Sequence, residues 1–154
     1  MNLLQTIRII ERLAGMQPTV KSVVRNDVYR LNSLPDAKYG VFAWLQGEHR
    51  ASLDGSLWQF SFTFFYVDRL TFDKSNEVEI QSTGIETLEN ILADLENFKV
   101  YALDHSFRTF NERFSDECAG VFCTVTLETP KDDICAAEYF RDFNNDFNND
   151  FTIL

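Results

Sequence analysis

The residues of this chain that could carry out chemistry are its two histidines and three cysteines. A histidine can bind a metal or move a proton, and a thiolate can bind zinc or act as a nucleophile. His49 and His105 lie far apart along the chain. Cys118, Cys123 and Cys135 form no Cys-x-x-Cys pair and have no recognisable histidine partner. This spacing predicts ordinary polar or partly buried histidines and buried, reduced cysteines, with no metal site.

The sequence also lacks the common motifs for phosphate binding and for nucleophilic catalysis. The six glycines never form the phosphate-binding patterns GxGxxG or GxxxxGK[ST], and no serine lies in a G-x-S-x-G elbow. The acidic pairs Asp116-Glu117 and Asp132-Asp133 could hold a divalent cation, but adjacent carboxylates in a loop are usually only solvated. We therefore expect a protein that is not an enzyme and needs no cofactor.

The charge of the chain limits its partners. Its formal net charge is −10, from 14 basic and 24 acidic residues, and the basic residues form no cluster. Binding to nucleic acid depends on basic contacts with phosphates, so a DNA-gripping function is not expected. An acidic surface lining a passage would still let DNA move past without sticking. The alternative is that the charge only keeps a monomer soluble.

The length of the chain, 154 residues, suits one full hydrophobic core and is too short for two ordinary domains. Arg8, Glu11 and Arg12 interrupt the apolar N-terminus, so neither a signal peptide nor a membrane span is predicted. We expect a soluble protein made in the cytoplasm, with one domain over residues 1–130 and a C-terminal extension over residues 131–154.

Two amphipathic helices are predicted, one near the N-terminus and one from about Ser75 to Asn97. The first has Arg8, Glu11 and Arg12 on its other, solvent-facing side and ends before Pro18. The second has two competing starts, at Asn76 or at Thr83, and tolerates an internal glycine at a cost of about 1 kcal/mol. The predicted apolar stripes are Leu3, Leu4, Ile7, Ile10, Leu13 and Ala14 in the first helix, and Val78, Ile85, Leu88, Leu92 and Leu95 in the second.

A long β-hairpin is the clearest element of the sequence. Asp54-Gly55 favours a tight turn between residues 39–53 and 56–70. If Leu53 pairs with Ser56, one face of the hairpin becomes the core. That core face would consist of Ala43, Leu45, Trp58, Phe60, Phe62, Phe64 and Tyr66.

The other face of the hairpin carries polar residues and three further aromatic side chains, Phe42, Trp44 and Phe65. Such an apolar excess on the solvent side of a strand indicates a covering helix or a second subunit. We predict these three residues as a subunit interface.

The remaining segments complete an α+β fold. Residues 19–38 are predicted as a short strand or turn followed by a loop. The last third reads as two strands, because apolar and polar residues alternate from Val121 to Glu128 and Pro130 stops the run. The order helix, hairpin, helix, strands predicts an antiparallel sheet packed against two helices.

This order, with the hairpin VFAWLQGE…WQFSFTFFYVDRL and the helix EVEIQSTGIETLENILADL, resembles the tail-terminator or tail-completion proteins of tailed bacteriophages over about residues 1 to 130. Residues 66–92 and 110–130 also resemble segments of structural proteins from phages of Bacteroides-type hosts, including crAss-like phages. The resemblance implies a small α+β subunit without catalysis. It also implies a homo-oligomeric ring, a hexamer or dodecamer, at the head–tail junction of the virion. There the ring would contact neighbouring neck, tail or portal-associated proteins and surround passing DNA, with no membrane partner.

The C-terminus repeats the unit Phe-Asn-Asn-Asp. A spacing of four places Phe143, Phe147 and Phe151 on one face of a helix or of an extended strand. Asn and Asp are poor helix formers, and the segment is too short for its own core. We predict that residues 140–154 form a docking arm for a neighbouring subunit or ring, against the alternative of a disordered, low-complexity end.

Two functions therefore remain open from the sequence. The first is a virion structural protein that forms a ring in the phage neck or tail. The second is a non-viral cytoplasmic adaptor whose exposed aromatic residues hold another protein.

We predict that the protein has no measurable affinity for duplex DNA at physiological salt. A chain of net charge −10 without a basic patch releases no counterions from DNA, so the main driving force for binding is absent. An electrophoretic mobility-shift assay tests this expectation. A salt-sensitive shift at micromolar protein would contradict both the prediction and an acidic DNA channel.

Overall fold

A computed structural model describes residues 1–27, 38–111, 117–131 and 152–153. Within these ranges the chain forms two α-helices, one short 3₁₀ helix and six β-strands, which confirms the predicted α+β class. The elements are α1 (Leu3–Met16), β1 (Ser22–Arg25), β2 (Val41–Ala51), β3 (Leu57–Arg69), α2 (Glu77–Leu95), the 3₁₀ helix (Glu96–Phe98), β4 (Tyr101–Asn111), β5 (Cys118–Pro130) and β6 (Thr152–Ile153).

The strands form one mixed sheet in the order β4-β5-β3-β2-β1-β6. The pairs β4·β5, β5·β3 and β3·β2 are antiparallel, whereas β1 is parallel to β2 and β6 is parallel to β1. Both helices pack on one face of the sheet and share its main hydrophobic core. In the part of the chain that the structure describes, no helix is long and apolar enough to cross a membrane.

Helix α1 begins with a capping box. The backbone N–H of Gln5 donates to Asn2 Oδ1, and the backbone N–H of Asn2 donates to Gln5 Oε1, both over 2.9 Å. The predicted helix is confirmed, but its stripe is rotated, because Leu4 is exposed and Glu11 is only 2% exposed. The expectation that Glu11 lies on the solvent face is therefore wrong.

A buried carboxylate is tolerated at Glu11 because cationic and neutral donors surround it. Arg25 on β1 donates from Nε to Oε1 over 2.6 Å and from Nη2 to Oε2 over 2.8 Å. The indole N–H of Trp44 on β2 donates to the same Oε1 over 3.2 Å. The guanidinium of Arg25, whose side chain is half exposed, has its pKa raised by the hydrogen bond to Glu11. This cluster ties α1, β1 and β2 together.

Helix α2 begins after Asn76, the first of its two predicted starts. The buried residues Leu88, Leu92 and Leu95 confirm three of the five residues of its predicted stripe, whereas Val78 and Ile85 are exposed. Val78 and Ile85 face solvent because α2 approaches the sheet closely at its internal glycine, Gly84. The buried face is centred instead on Ile80, Gly84, Thr87, Leu88, Ile91, Leu92 and Leu95.

The hairpin follows the predicted register only near its turn. There Ala51 pairs with Trp58, as the pairing of Leu53 with Ser56 requires. Between Gln46 and His49 one extra residue enters β2, so the register shifts by one. Because strand side chains alternate between faces, this bulge exchanges the two faces of β2 beyond it.

The shift corrects the predicted core face and the predicted subunit interface. Ala43 and Leu45 turn away from the helices, while Phe42 and Trp44 enter the main core. Phe65 lies on the opposite face, in a second buried cluster. Phe42, Trp44 and Phe65 are each at most 5% exposed, so they do not form the exposed patch that the sequence predicts.

A second bulge lies in β4, between Ala102 and His105. Both bulges are level with the pair Ser61 and Thr126 in the middle of the sheet, whose hydroxyl oxygens are 3.2 Å apart. The two distortions therefore form one row across four strands, which increases the local twist. Between this row and the turn at Asp54-Gly55, the face away from the helices is polar, as predicted for Gln59. The side chain of Gln59 accepts a hydrogen bond from Arg50 and donates one to Glu128.

The packing of α2 predicts an unusual effect of a helix-favouring substitution. A Cβ atom on Gly84 would lie 2.9 Å from Tyr66 Cδ1 and 3.0 Å from Val121 Cγ2. Gly84→Ala should therefore lower the free energy of unfolding by about 1–3 kcal/mol, measured by urea denaturation, although alanine favours helix.

Ser82→Ala on the exposed side of the same helix is the matched control and should be neutral or slightly stabilising. Val121→Ala combined with Gly84→Ala should recover part of the loss, relative to Val121→Ala alone. A Gly84→Ala protein as stable as the parent would show that α2 does not approach the sheet this closely.

Candidate interaction surface

The two histidines remain apart in the fold. His49 on β2 and His105 on β4 are separated by three strand spacings, about 14 Å. His105 Nε2 lies 3.0 Å from Glu89 Oε2, and His49 Nε2 lies 3.0 Å from Gln46 Oε1. Loss of water around the His49 ring lowers its pKa. Among the described residues, no three His, Cys, Asp or Glu side chains come together as metal ligands.

The cysteines that the structure describes are buried thiols, as predicted. Cys118 and Cys123 are both core residues, and Cys135 lies outside the described residues. Burial, with a smaller contribution from the charge of Glu89, raises the pKa of Cys123 to about 11. A thiol of this kind is a poor nucleophile at neutral pH.

Two exposed turns, one before β3 and one after it, share the same construction. The first is residues 52–56 and the second is residues 71–75, and we call them the paired turns. Each reads as a hydroxyl residue, an apolar residue, Asp, a residue of positive φ, and Ser. The positive-φ residues are Gly55 at +74° and Lys74 at +58°. Since β3 has 13 residues, the two turns lie about 40 Å apart, at opposite ends of the sheet.

The Asp side chain holds the first turn in shape. Asp54 Oδ1 accepts hydrogen bonds from Ser52 Oγ at 2.6 Å, Ser56 Oγ at 2.8 Å and the Ser56 backbone N–H at 3.0 Å. The Gly55 N–H donates to the Ser52 carbonyl over 2.9 Å. These donors, the Ser52 hydroxyl above all, lower the pKa of Asp54 to about 2.

The second turn repeats these contacts. Asp73 Oδ1 accepts from Thr71 Oγ1 at 2.7 Å, from Ser75 Oγ at 2.8 Å and from the Ser75 N–H at 3.2 Å. The Lys74 N–H donates to the Thr71 carbonyl over 2.9 Å. The same donors, first the Thr71 hydroxyl, lower the pKa of Asp73.

Each paired turn displays one fully exposed apolar side chain, Leu53 on the first and Phe72 on the second. Side chains on a turn held by several hydrogen bonds lose little further backbone entropy when a partner covers them. A groove of about 640 Å³, lined in part by Arg50 and Leu57, lies beside Leu53. A groove of about 480 Å³, lined in part by Arg69, lies beside Phe72. Both ends of the sheet therefore offer an apolar anchor next to a groove.

Helix α2 presents a surface of a different kind. Its sequence contains five acidic residues and no basic residue, and Glu79, Glu86 and Glu89 are exposed. Val78 and Ile85 lie exposed among them. The outer side of α2 is therefore acidic, with two apolar side chains.

The outer edge of β1 carries the last feature of the surface. The backbone of Thr152–Ile153 pairs with it in parallel, with Ser22 opposite Thr152 and Val23 opposite Ile153. Of the predicted docking arm, Phe143, Phe147 and Phe151 lie outside the described residues. The pairing of Thr152–Ile153 with this sheet is not predicted by any pattern in the sequence.

The likeness of the two paired turns is a second feature that the sequence analysis does not predict. Asp54-Gly55 marks the first turn in the sequence, but residues 71–75 carry no glycine to mark positive φ. The repeated order of hydroxyl residue, apolar residue, Asp and, two positions later, Ser is the signal that could have found both. No protein-family model matches this chain, and no curated protein matches it either.

The carboxyl group of Asp54 should titrate at about pH 2 in a ¹³C NMR experiment. Its folded-state pKa lies below the value of about 3.9 in an unfolded chain. The stabilisation from this group is therefore fully present above about pH 4 and is lost as the pH falls through about 2.

Ser52→Ala should move the Asp54 titration upward, because it removes the strongest donor, and Ser52→Thr should leave it near the parent value. A parent titration at the unfolded value would show that the first turn does not hold this arrangement in solution.

Proposed function

We propose that this protein is a virion structural subunit that forms a homo-oligomeric ring at the head–tail connector of a tailed bacteriophage. The ring surrounds the channel through which DNA leaves and contacts neighbouring neck, tail or portal-associated proteins. The subunit acts as a scaffold and carries out no catalysis.

The observation that carries the proposal is the fold. The order helix, long hairpin, helix and closing strands agrees with the small α+β subunit implied by the resemblance to tail-terminator and tail-completion proteins. Fold alone does not fix function, so the surface has to supply the rest of the argument.

The surface supports a ring through the paired turns. Leu53 and Phe72 are different side chains at opposite ends of one subunit, so a contact between them joins two different faces. Such a heterologous contact closes into a ring when the rotation between subunits permits it. In this arrangement the Phe72 end of one subunit packs against the Leu53 groove of the next.

The charge of α2 supports the passage of DNA. A helix with five acidic and no basic residues repels the phosphate backbone at short range. If the outer side of α2 faces the channel, DNA moves through without adhering. The overall charge of −10 per subunit acts in the same sense, and a ring multiplies it.

The second candidate is a non-viral adaptor that binds another protein. The exposed anchors favour it equally well, since an isolated subunit with Leu53 and Phe72 in solvent is also suited to a foreign partner. The two candidates differ in self-association, which a ring requires and an adaptor does not.

The ring can be tested with two variants, each of which disrupts one of the two proposed contact faces. Leu53→Asp and Phe72→Asp should each prevent assembly at concentrations where the parent assembles, measured by light scattering and negative-stain electron microscopy, while the melting temperature stays close to that of the parent. At these concentrations a mixture of the two variants should give a 1:1 dimer, because each retains the face that the other lacks.

Ser82→Asp on exposed α2 surface is the matched control and should leave the ring intact. A parent protein that stays monomeric at high concentration would contradict the ring and favour the adaptor. Rings that persist in both turn variants would place the subunit contact elsewhere.

A further inference from the structure

The edge of β1 is a preformed site for strand addition. Four residues of β1 pair with β2, and the Glu11 carboxylate fixes the strand to α1 through Arg25. Ser22 Oγ also accepts a hydrogen bond from the Lys38 N–H over 2.8 Å. The position of β1 therefore depends on contacts inside the domain, and its edge persists whether or not β6 is paired with it.

The strand that fills this edge is short. Only Thr152 and Ile153 pair with β1, at Ser22 and Val23. Two paired residues are close to the lower limit for a strand, so β6 can leave and return without disturbing the rest of the sheet. Because β6 is bound through its backbone, the β6 strand of one copy can also pair with the β1 edge of another copy.

The chain before β6 is longer than the distance that it has to span within one subunit. Strand β5 ends at Pro130, which lies opposite Leu57 at the start of β3. Strand β6 lies level with the other end of β3 and is four strands away from β5 in the sheet. With about 3.3 Å per residue and about 4.8 Å per strand, these two points are about 40 Å apart. The segment from Lys131 to Thr152 can span up to about 70 Å when extended. The link is thus much longer than its own domain requires.

We propose that β6 is exchanged between subunits, so that the edge of β1 binds Thr152–Ile153 of a neighbouring copy in the parallel register seen within one chain. This inference rests on the proposed ring, in which a neighbour's edge lies within reach of the link. Each copy gives one strand and accepts one, which is a head-to-tail pattern compatible with ring closure. The exchange gives the C-terminal segment a defined receptor site, the β1 edge.

Engineered disulfides test the exchange. In a Cys135→Ser background, chains with Ser22→Cys are mixed with chains carrying Thr152→Cys and a mass tag, and the mixture is oxidised. These positions are direct partners across parallel strands, a separation that suits a disulfide. We expect mixed dimers on a non-reducing gel, and a ladder of linked chains from the doubly substituted protein.

A mixture of Thr124→Cys and Thr152→Cys chains is the matched control and should give only background dimers, since Thr124 is exposed on β5, far from β1. Removing residues 152–154 from the parent should raise the concentration needed for assembly about tenfold or more, because it removes one of two links between neighbours. The same removal should leave the melting temperature nearly unchanged.

Two results would overturn the exchange. A doubly substituted protein linked only within single chains would show that β6 stays in its own subunit, and the absence of any disulfide would show that the strand pair does not form. Light scattering on the unlinked parent separates these failures from failure of the ring. Rings with only internal disulfides contradict the exchange alone, and mixed dimers without rings contradict the proposed function alone.

Discussion

One extra residue in β2, between Gln46 and His49, decides which side chains of that strand lie under the helices. Because side chains alternate along a strand, the bulge turns Phe42 and Trp44 into the main core and sends their neighbours to the opposite face. The indole of Trp44 can then reach the Glu11 carboxylate. The position of α1, the anchoring of β1 and the edge that receives β6 all follow from this local change of register.

The Glu11 cluster shows how such a fold accommodates a charge in its interior. A carboxylate with 2% exposure would be strongly destabilising alone, but here it accepts hydrogen bonds from a guanidinium and from an indole. The arrangement specifies one geometry for three elements, α1, β1 and β2. In particular it fixes a four-residue parallel strand, an element too short to hold its place by pairing alone.

The surface divides into parts with different physical properties. The paired turns present apolar anchors on rigid tips, α2 presents acidic groups, and the outer edge of β1 pairs with the backbone of Thr152–Ile153. In the ring that we propose, the apolar anchors at the two ends of the sheet would contact different neighbours.

The sequence by itself determined the element types, the α+β class and the turn at Asp54-Gly55, because periodicity and turn chemistry act over a few residues. It did not place the bulge, although Gly47, which follows Gln46, is the kind of strand residue that often marks one, and so it assigned Trp44 to the wrong face. It also left Glu11 in solvent, because the partners of that carboxylate lie on other elements. Tertiary structure decided the faces, the buried charge and the pairing of the C-terminus with β1, since each depends on contacts between segments distant in the chain.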